Sequence, residues 1–187
     1  MKKQFISNKL KKEASIMLEN VKESIPEVAK DIRLNLTKVL DLEQSDGLSE
    51  HQILGSALAV SYSLGNEVLI KGLKELVHNE QIVRAAQLAA SLMAMTNIYY
   101  RFVHLTEIKE IEHIPAGLRM QGMMTPGVDR VTFEILSLAV SALNGCGACV
   151  SSHARQLKEH GLSDTSLARV GRITAVIHAV HVSGRIK

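Results

Sequence analysis

The chain has 187 residues, of which 46% are hydrophobic and 3% aromatic, and it contains no tryptophan. This length suits one domain, and a core of Leu, Ile, Val, Ala and Met favours helices over sheets. The net charge is only +3, and the basic excess lies mainly near the N-terminus. A nucleic-acid-binding protein would need basic residues along a face or groove, so that class is disfavoured.

Membrane and export signals are also missing from the sequence. The longest apolar candidate, Ile135 to Leu143, is closed by Glu134 and Asn144 and is too short to span a bilayer. The N-terminus lacks the apolar segment of a signal peptide. With two cysteines, the chain is therefore expected in the cytoplasm, where a C-x-x-C motif is more often catalytic or metal-binding than a structural cross-link.

The first part of the chain reads as a series of helices. Residues 1–23 predict one helix, and Pro26 starts another with a buried stripe of Val28, Ile32, Leu34 and Leu36. Ser49 and Gln52 have the spacing of a capping box for a third helix, which Gly65-Asn66 interrupts. A helix over 67–77 follows, and after His78-Asn79 a long Ala- and Met-rich helix covers 82–102.

A segment rich in glycine and proline, 113–129, divides the chain into an N-terminal half, 1–112, and a C-terminal half, 113–187. Asp129 or Thr132 caps the next helix, and Asn144-Gly145 ends it. A further helix starts at the cysteines and runs to about Lys158, and Ser163 or Asp164 caps the last one. No segment alternates like a strand, so the sequence predicts an all-α domain.

The two halves share a short internal repeat. Leu58-Ala59-Val60-Ser61 recurs as Leu138-Ala139-Val140-Ser141, with glycines at positions 65 and 145 in the same register. The alignment pairs four residues of the first half with four that carry chemistry in the second: Asn66 with Cys146, Leu69 with Cys149, Leu73 with His153, and Leu54 with Glu134. A match this short also arises by chance. If it is a duplication, the first half is a scaffold copy of a helix pair.

Both cysteines of the chain lie in one motif, Cys146-Gly147-Ala148-Cys149. The preceding turn should place both sulfurs in the first turn of a helix, where unpaired N–H groups and the macrodipole favour a thiolate, the reactive form. Cys149 and His153 are four residues apart and share a helix face, so the imidazole can take the thiol proton.

Glu134 is the next candidate residue, because it lies one helix earlier on the side that carries Leu138. If the helix pair folds back at the Asn144-Gly145 turn, Glu134 can approach His153, orient its ring and stabilise its charged form. The alternative is a structural carboxylate paired with Arg130, one turn earlier.

Other interpretations of these residues concern metals and packing. A zinc site wants four ligands, and His160 would be the only nearby addition to the cysteines and His153. His178 and His181 share a helix face, and surface or interface positions suit them better than metal binding. The methionines are attributed to core and loop packing.

Glu134, the C-x-x-C motif and His153 together resemble the E…C-x-x-C-x-x-x-H pattern of the AhpD-type alkyl hydroperoxidases, in the carboxymuconolactone-decarboxylase-like superfamily. The segments 26–36, 117–120, 133–134 and 139–146 are similar as well, so the resemblance covers nearly the whole chain after the first two dozen residues. Some members have a histidine just before the second cysteine, where this chain has Ala148. The Glu134–His153 pair is then the only apparent activator.

The resemblance implies an all-helical fold with internal duplication, a homo-oligomer that is commonly a trimer, and reduction of organic hydroperoxides. It implies no bound cofactor or metal, re-reduction of an AhpC-type peroxiredoxin, and electrons from dihydrolipoamide on a lipoyl-bearing protein. Cys149 would attack the peroxide and become a sulfenic acid. Cys146 would donate a proton, close the disulfide and exchange with the partner. His153 would be the general base, supported by Glu134.

Two points stay open at this stage. Proximity to His153 favours Cys149 as the first thiol attacked, whereas exposure at the helix end favours Cys146. The chain could also be mainly a disulfide-exchange adaptor for a peroxiredoxin, or a non-enzymatic thiol sensor. The decarboxylase function of the superfamily is disfavoured by the paired cysteines.

Overall fold

The computed structural model describes residues 19–186, and within that range it contains helices and turns but no strand. The prediction of an all-α fold is confirmed. The predicted helix over 1–23 lies mostly outside the described residues. The helices are a segment over 19–24 (α1), Lys30–Val39 (α2), Glu50–Leu64 (α3), Glu67–Val77 (α4), Glu80–Thr106 (α5), Lys109–Glu112 (α6), Arg130–Leu143 (α7), Gly147–Glu159 (α8) and Asp164–Ser183 (α9).

Helices α3 and α7 form the centre of the core and pack against each other. α5 packs on both of them, and so does α9. In α3 every residue from Ile53 to Ser61 is buried, and in α7 every residue from Thr132 to Ser141. A helix that is buried on all sides must be apolar all round, so the few polar side chains within these two stretches need partners inside the protein.

The helix boundaries follow the local signals in the sequence. Ser49 and Gln52 form the predicted capping box of α3, and Asp129 caps α7 through the Thr132 N–H. Gly145, at φ 66°, has the left-handed conformation that only glycine adopts at little cost, and it separates α7 from α8. The segment between α6 and α7 is irregular except for a 3₁₀ turn at Gln121–Met124.

The internal repeat is visible in the backbone of the two helix pairs. Asn66, the N-cap of α4, has φ −87° and ψ 91°, and Cys146, the N-cap of α8, has φ −87° and ψ 93°. Each cap side chain accepts the backbone N–H three residues later, of Leu69 and of Cys149. The helix pair α3–α4 is therefore repeated as α7–α8.

The repeat extends to the helices that follow each pair. α5 and α9 share seven buried positions when residues 84 apart are compared. The matched positions are 82, 85, 86, 89, 90, 93 and 96 in α5, and 166, 169, 170, 173, 174, 177 and 180 in α9. The division of the chain at residue 113 stays a prediction.

One predicted buried stripe is wrong. In α2 and the turn before it, Leu36 is buried, but Val28 is 85% exposed and Leu34 is 71% exposed. α2 packs on α9 with one narrow face, which holds Leu36 and Val39, because α9 is its main neighbour in the described part of the chain. Across residues 19–186, no helix combines the length and apolarity that a membrane crossing requires.

Candidate active site

Cys146 and Cys149 lie at the start of α8 and form a disulfide, with their Cα atoms 5.3 Å apart. Cys146 is the N-cap residue, and its Sγ accepts the backbone N–H of Cys149 at 3.4 Å. This contact brings Sγ to the unpaired N–H groups of the first helical turn, where a thiolate is stabilised after reduction. The prediction that both sulfurs occupy the first turn of a helix and can join is confirmed.

His153 lies one turn further along α8 and is only 6% exposed. Its Nδ1 is 2.6 Å from Oε2 of Glu134, which is also 6% exposed and lies in the second turn of α7. The expected fold-back of the helix pair therefore brings the two side chains into contact. Because Nδ1 faces the carboxylate, Nε2 is the ring nitrogen left for a thiol on the same face of α8.

The alternative partner for Glu134 is ruled out by the geometry. Arg130 donates to the side-chain oxygen of Gln156 at 2.8 Å and makes no ion pair with Glu134. In the described part of the chain, the Glu134 carboxylate has His153 as its hydrogen-bond partner. A buried carboxylate with one imidazole partner has the arrangement that orients a general base.

The expected exposure of Cys146 is wrong for the isolated chain. Cys146 is 0% exposed and Cys149 is 8% exposed, so the second cysteine is the more accessible residue of the two. The N-cap position places Cys146 beneath the Asn144–Gly145 turn, and the side chain points inward to accept the helix N–H.

The further histidines considered for metal binding lie away from the cysteine pair. His160 is the C-cap of α8, at the opposite end of that helix from the cysteines. His181 contacts the Asn66 amide at 3.4 Å instead of a second histidine. Among residues 19–186, no three His, Cys, Asp or Glu side chains come together in a way that could hold a metal ion.

Sequence reasoning missed two residues that contact the turn before Cys146. Asn97 and Arg101 of α5 both form hydrogen bonds to Asn144. Asn97 is fully buried in a helix whose core face is otherwise rich in alanine. The polar pair Thr96-Asn97 within that apolar stretch was the available signal, since a buried amide needs partners from another element.

Fold and site together define a class of protein. It is an all-helical domain with a repeated helix pair, in which one copy carries a disulfide-forming cysteine pair next to a buried His–Glu pair. In agreement with this, the family model described as "Carboxymuconolactone decarboxylase family" matches residues 110–182, which include α7, α8 and most of α9.

Similar proteins cover almost the whole chain. A protein of Coxiella burnetii is 47% identical over 167 residues, which is 88% of this chain and 94% of the relative. A protein of Bradyrhizobium sp. is 42% identical over 169 residues, or 89% and 92% of the two chains. One of Maricaulis maris is 39% identical over 166 residues, or 87% and 94%. All three carry the name alkyl hydroperoxide reductase AhpD. The chain therefore belongs to the AhpD family.

Proposed function

We propose that this protein is an antioxidant thiol peroxidase that reduces alkyl hydroperoxides with the Cys146–Cys149 dithiol. The observation that carries the proposal is the placement of this pair at the N-terminus of α8, one turn from a buried His153 that contacts Glu134. The name of the relatives, alkyl hydroperoxide reductase AhpD, supports the substrate class.

In the proposed reaction, Cys149 is the nucleophile because it shares a helix face with His153. Nε2 of His153 takes the proton of the Cys149 thiol, and the Glu134 carboxylate stabilises the positive charge on the ring. The thiolate attacks the terminal peroxide oxygen, and the O–O bond breaks. Cys149 becomes a sulfenic acid, and the alkoxide leaves as an alcohol with the proton of the Cys146 thiol.

Disulfide formation completes the oxidative half of the cycle. The Cys146 thiolate attacks the sulfenic sulfur of Cys149, and the departing hydroxide leaves as water with the proton held by His153. One hydroperoxide is reduced, and the dithiol loses two electrons. The product is the disulfide, for which the short separation of the two Cα atoms, 5.3 Å, is suitable.

The reductive half uses a dithiol donor, and we propose dihydrolipoamide on a lipoyl-bearing protein. One donor thiolate attacks the sulfur of Cys149, the cysteine with some exposed surface, and releases the Cys146 thiolate. The second donor thiol then displaces Cys149 and forms lipoamide. The burial of Cys146 thus moves the partner exchange expected at that sulfur to Cys149.

The reduced dithiol also passes two electrons to the disulfide of an AhpC-type peroxiredoxin in this proposal. A homotrimer, a cytoplasmic location and the absence of a bound cofactor belong to the same proposal.

The test is peroxide-dependent oxidation of dihydrolipoamide by the pure protein with cumene hydroperoxide. Cys149→Ser should abolish turnover, and Cys146→Ser should accumulate a sulfenic acid on Cys149 that dimedone traps. A sulfenic acid trapped on Cys146 in the Cys149→Ser variant would reverse the assignment. If peroxide is not consumed but an added oxidised AhpC-type peroxiredoxin is reduced, the protein is an adaptor. If neither occurs, a thiol sensor is the remaining reading.

A further inference from the structure

The turn that precedes Cys146 is tied to α5 by side-chain hydrogen bonds. Asn97 is fully buried, and its Nδ2 donates to Oγ of Ser141 at 2.9 Å. Its Oδ1 accepts from Nδ2 of Asn144 at 3.0 Å. Arg101, one turn further along α5, donates to the backbone carbonyl of Asn144. The Cys146 N–H in turn donates to the Ser141 carbonyl at 3.2 Å. α5 therefore holds both ends of the segment that leads to the first sulfur.

The corresponding turn of the first copy lacks this arrangement. Leu64 occupies the place of Asn144, and Ser61 turns back to donate to a carbonyl of its own helix at 2.8 Å. His181 takes the place of Asn97, and it contacts the cap residue Asn66 at 3.4 Å and not the serine. Among the described residues, the first-copy turn therefore has one cross-helix contact, from His181 to Asn66, whereas the turn before Cys146 is bonded to α5 at both Ser141 and Asn144.

Arg101 also differs from its counterpart. The residue 84 positions later is Arg185, which is exposed at the end of α9. Within the described residues, Arg185 makes no side-chain hydrogen bond to the Gly65 turn, whereas Arg101 holds the carbonyl of Asn144 directly before Gly145. The two turns have nearly the same backbone angles, so the fold does not need the network to form this turn.

A buried amide carries a desolvation cost that only a complete set of partners offsets. Asn97 has such a set, but the first copy forms the same turn without an equivalent set. The second copy has a further requirement, because its turn precedes the cysteine pair. Cys146 must keep its Sγ at the N-cap of α8 and within reach of Cys149 in the reduced state as well, when no covalent bond holds the two sulfurs together.

We propose that Asn97 and Arg101 are positioning residues for the redox dithiol. By fixing the turn at residues 144–145, they hold the reduced Cys146 close to Cys149 and to the helix N-terminus. This raises the effective concentration of one sulfur for the other, which favours the disulfide over the open dithiol. The inference depends on the proposed function only in that the cysteine pair cycles between dithiol and disulfide.

The test measures the thiol–disulfide equilibrium of the purified full-length protein in buffers of reduced and oxidised glutathione. In this equilibrium, one glutathione disulfide takes two electrons from the dithiol and becomes two thiols. Loss of one charge-assisted hydrogen bond at the turn should lower the equilibrium constant for disulfide formation by about tenfold in Arg101→Met. Arg101→Lys keeps a cationic donor for the carbonyl and should restore most of the loss.

The duplication supplies matched controls. Arg185→Met and His181→Leu alter the corresponding positions of the first copy and should leave the equilibrium constant unchanged. Asn97→Leu should lower the constant at least as much as Arg101→Met. If Asn97→Leu does not fold, Arg101 decides the question alone, since Arg101 is partly exposed and its substitution is better tolerated than that of the fully buried Asn97.

The outcomes separate positioning from ordinary stabilisation. If Arg101→Met lowers the melting temperature but leaves the glutathione equilibrium at the wild-type value, Arg101 is merely structural and the inference is wrong. An equal change in Arg185→Met would also overturn it. Because the assay contains no peroxide and no lipoamide, a protein without peroxidase activity would still give a clear answer here.

Discussion

Replacing Glu134 and His153 together should cost the protein little folding stability, whereas replacing either one alone should cost much more. The first copy has Leu54 and Leu73 at the corresponding places, and both are buried, at 2% and 0% exposure. We therefore expect Glu134→Leu and His153→Leu to destabilise the protein separately, and the double variant to regain most of the lost stability.

The expected loss of stability follows from the burial of both side chains and from the 2.6 Å contact between Nδ1 of His153 and Oε2 of Glu134. Removing one partner of this buried carboxylate–imidazole pair leaves the other polar group without a partner, which costs about 3–5 kcal/mol. For a domain of this size, about 3 kcal/mol lowers the melting temperature by about 6–12 °C. Two leucines of similar volume remove both polar groups together, and such replacements come within about 1 kcal/mol of the original or stabilise.

The assay is denaturant unfolding of the four proteins with the disulfide intact in each, so that the cross-link contributes equally. The double-mutant cycle should give a coupling energy of at least about 3 kcal/mol. Peroxide turnover should be lost in all three variants, because none keeps both the base and its carboxylate. Arg130→Met is the control, since Arg130 contacts Gln156 and not the pair.

Additive effects would refute this reasoning. A double variant that loses as much stability as the two single variants combined would show that the side chains do not interact across α7 and α8. Full peroxide turnover in Glu134→Leu would separately exclude a role for the carboxylate in activating the thiol.

Three further predictions concern the turns and the core. Gly145→Ala, at φ 66°, should cost about 1 kcal/mol or more and slow dithiol oxidation, whereas Gly65→Ala, at φ 63°, should cost the same without a redox effect. Unequal unfolding energies would contradict the equivalence of the turns. Asn66→Cys with Leu69→Cys should form a second disulfide, because the backbone at residue 66 matches that at Cys146, and two extra free thiols by mass spectrometry after air oxidation would count against it. Arg169→Met should lower unfolding stability by about 3 kcal/mol, since its buried guanidinium loses contacts at 3.1 and 2.9 Å to two carbonyls, while the glutathione equilibrium stays unchanged. A changed equilibrium would show that α9 also controls the dithiol.

Local signals in the sequence correctly predicted the helices and the part of the site that lies on α8. Three of these signals involve residues only one or two helical turns apart: the cap at Ser49, the left-handed glycine at 145, and the four-residue spacing of Cys149 and His153. Such interactions depend on neighbouring residues alone, so the residue types report them directly. The repeat at Leu138 also correctly indicated a copied helix pair.

Predictions about exposure failed where a neighbouring helix decides it. Val28 and Leu34 are apolar and suitably spaced, yet they face solvent, because α2 meets the core along one narrow face. Cys146 at the helix end is buried, since its sulfur turns inward to cap α8. Periodicity predicts that a helix has an apolar face, but not how much of that face a neighbour covers.

By itself, the sequence determined that this chain is helical, that its one cysteine pair begins a helix, and that His153 shares a face with Cys149. Only the tertiary structure decided that Glu134 reaches His153 and that Asn97 and Arg101 hold the turn before Cys146. The first group of facts depends on geometry within a few residues. The second depends on how α5, α7 and α8 cross, and that is set by the packing of the whole core.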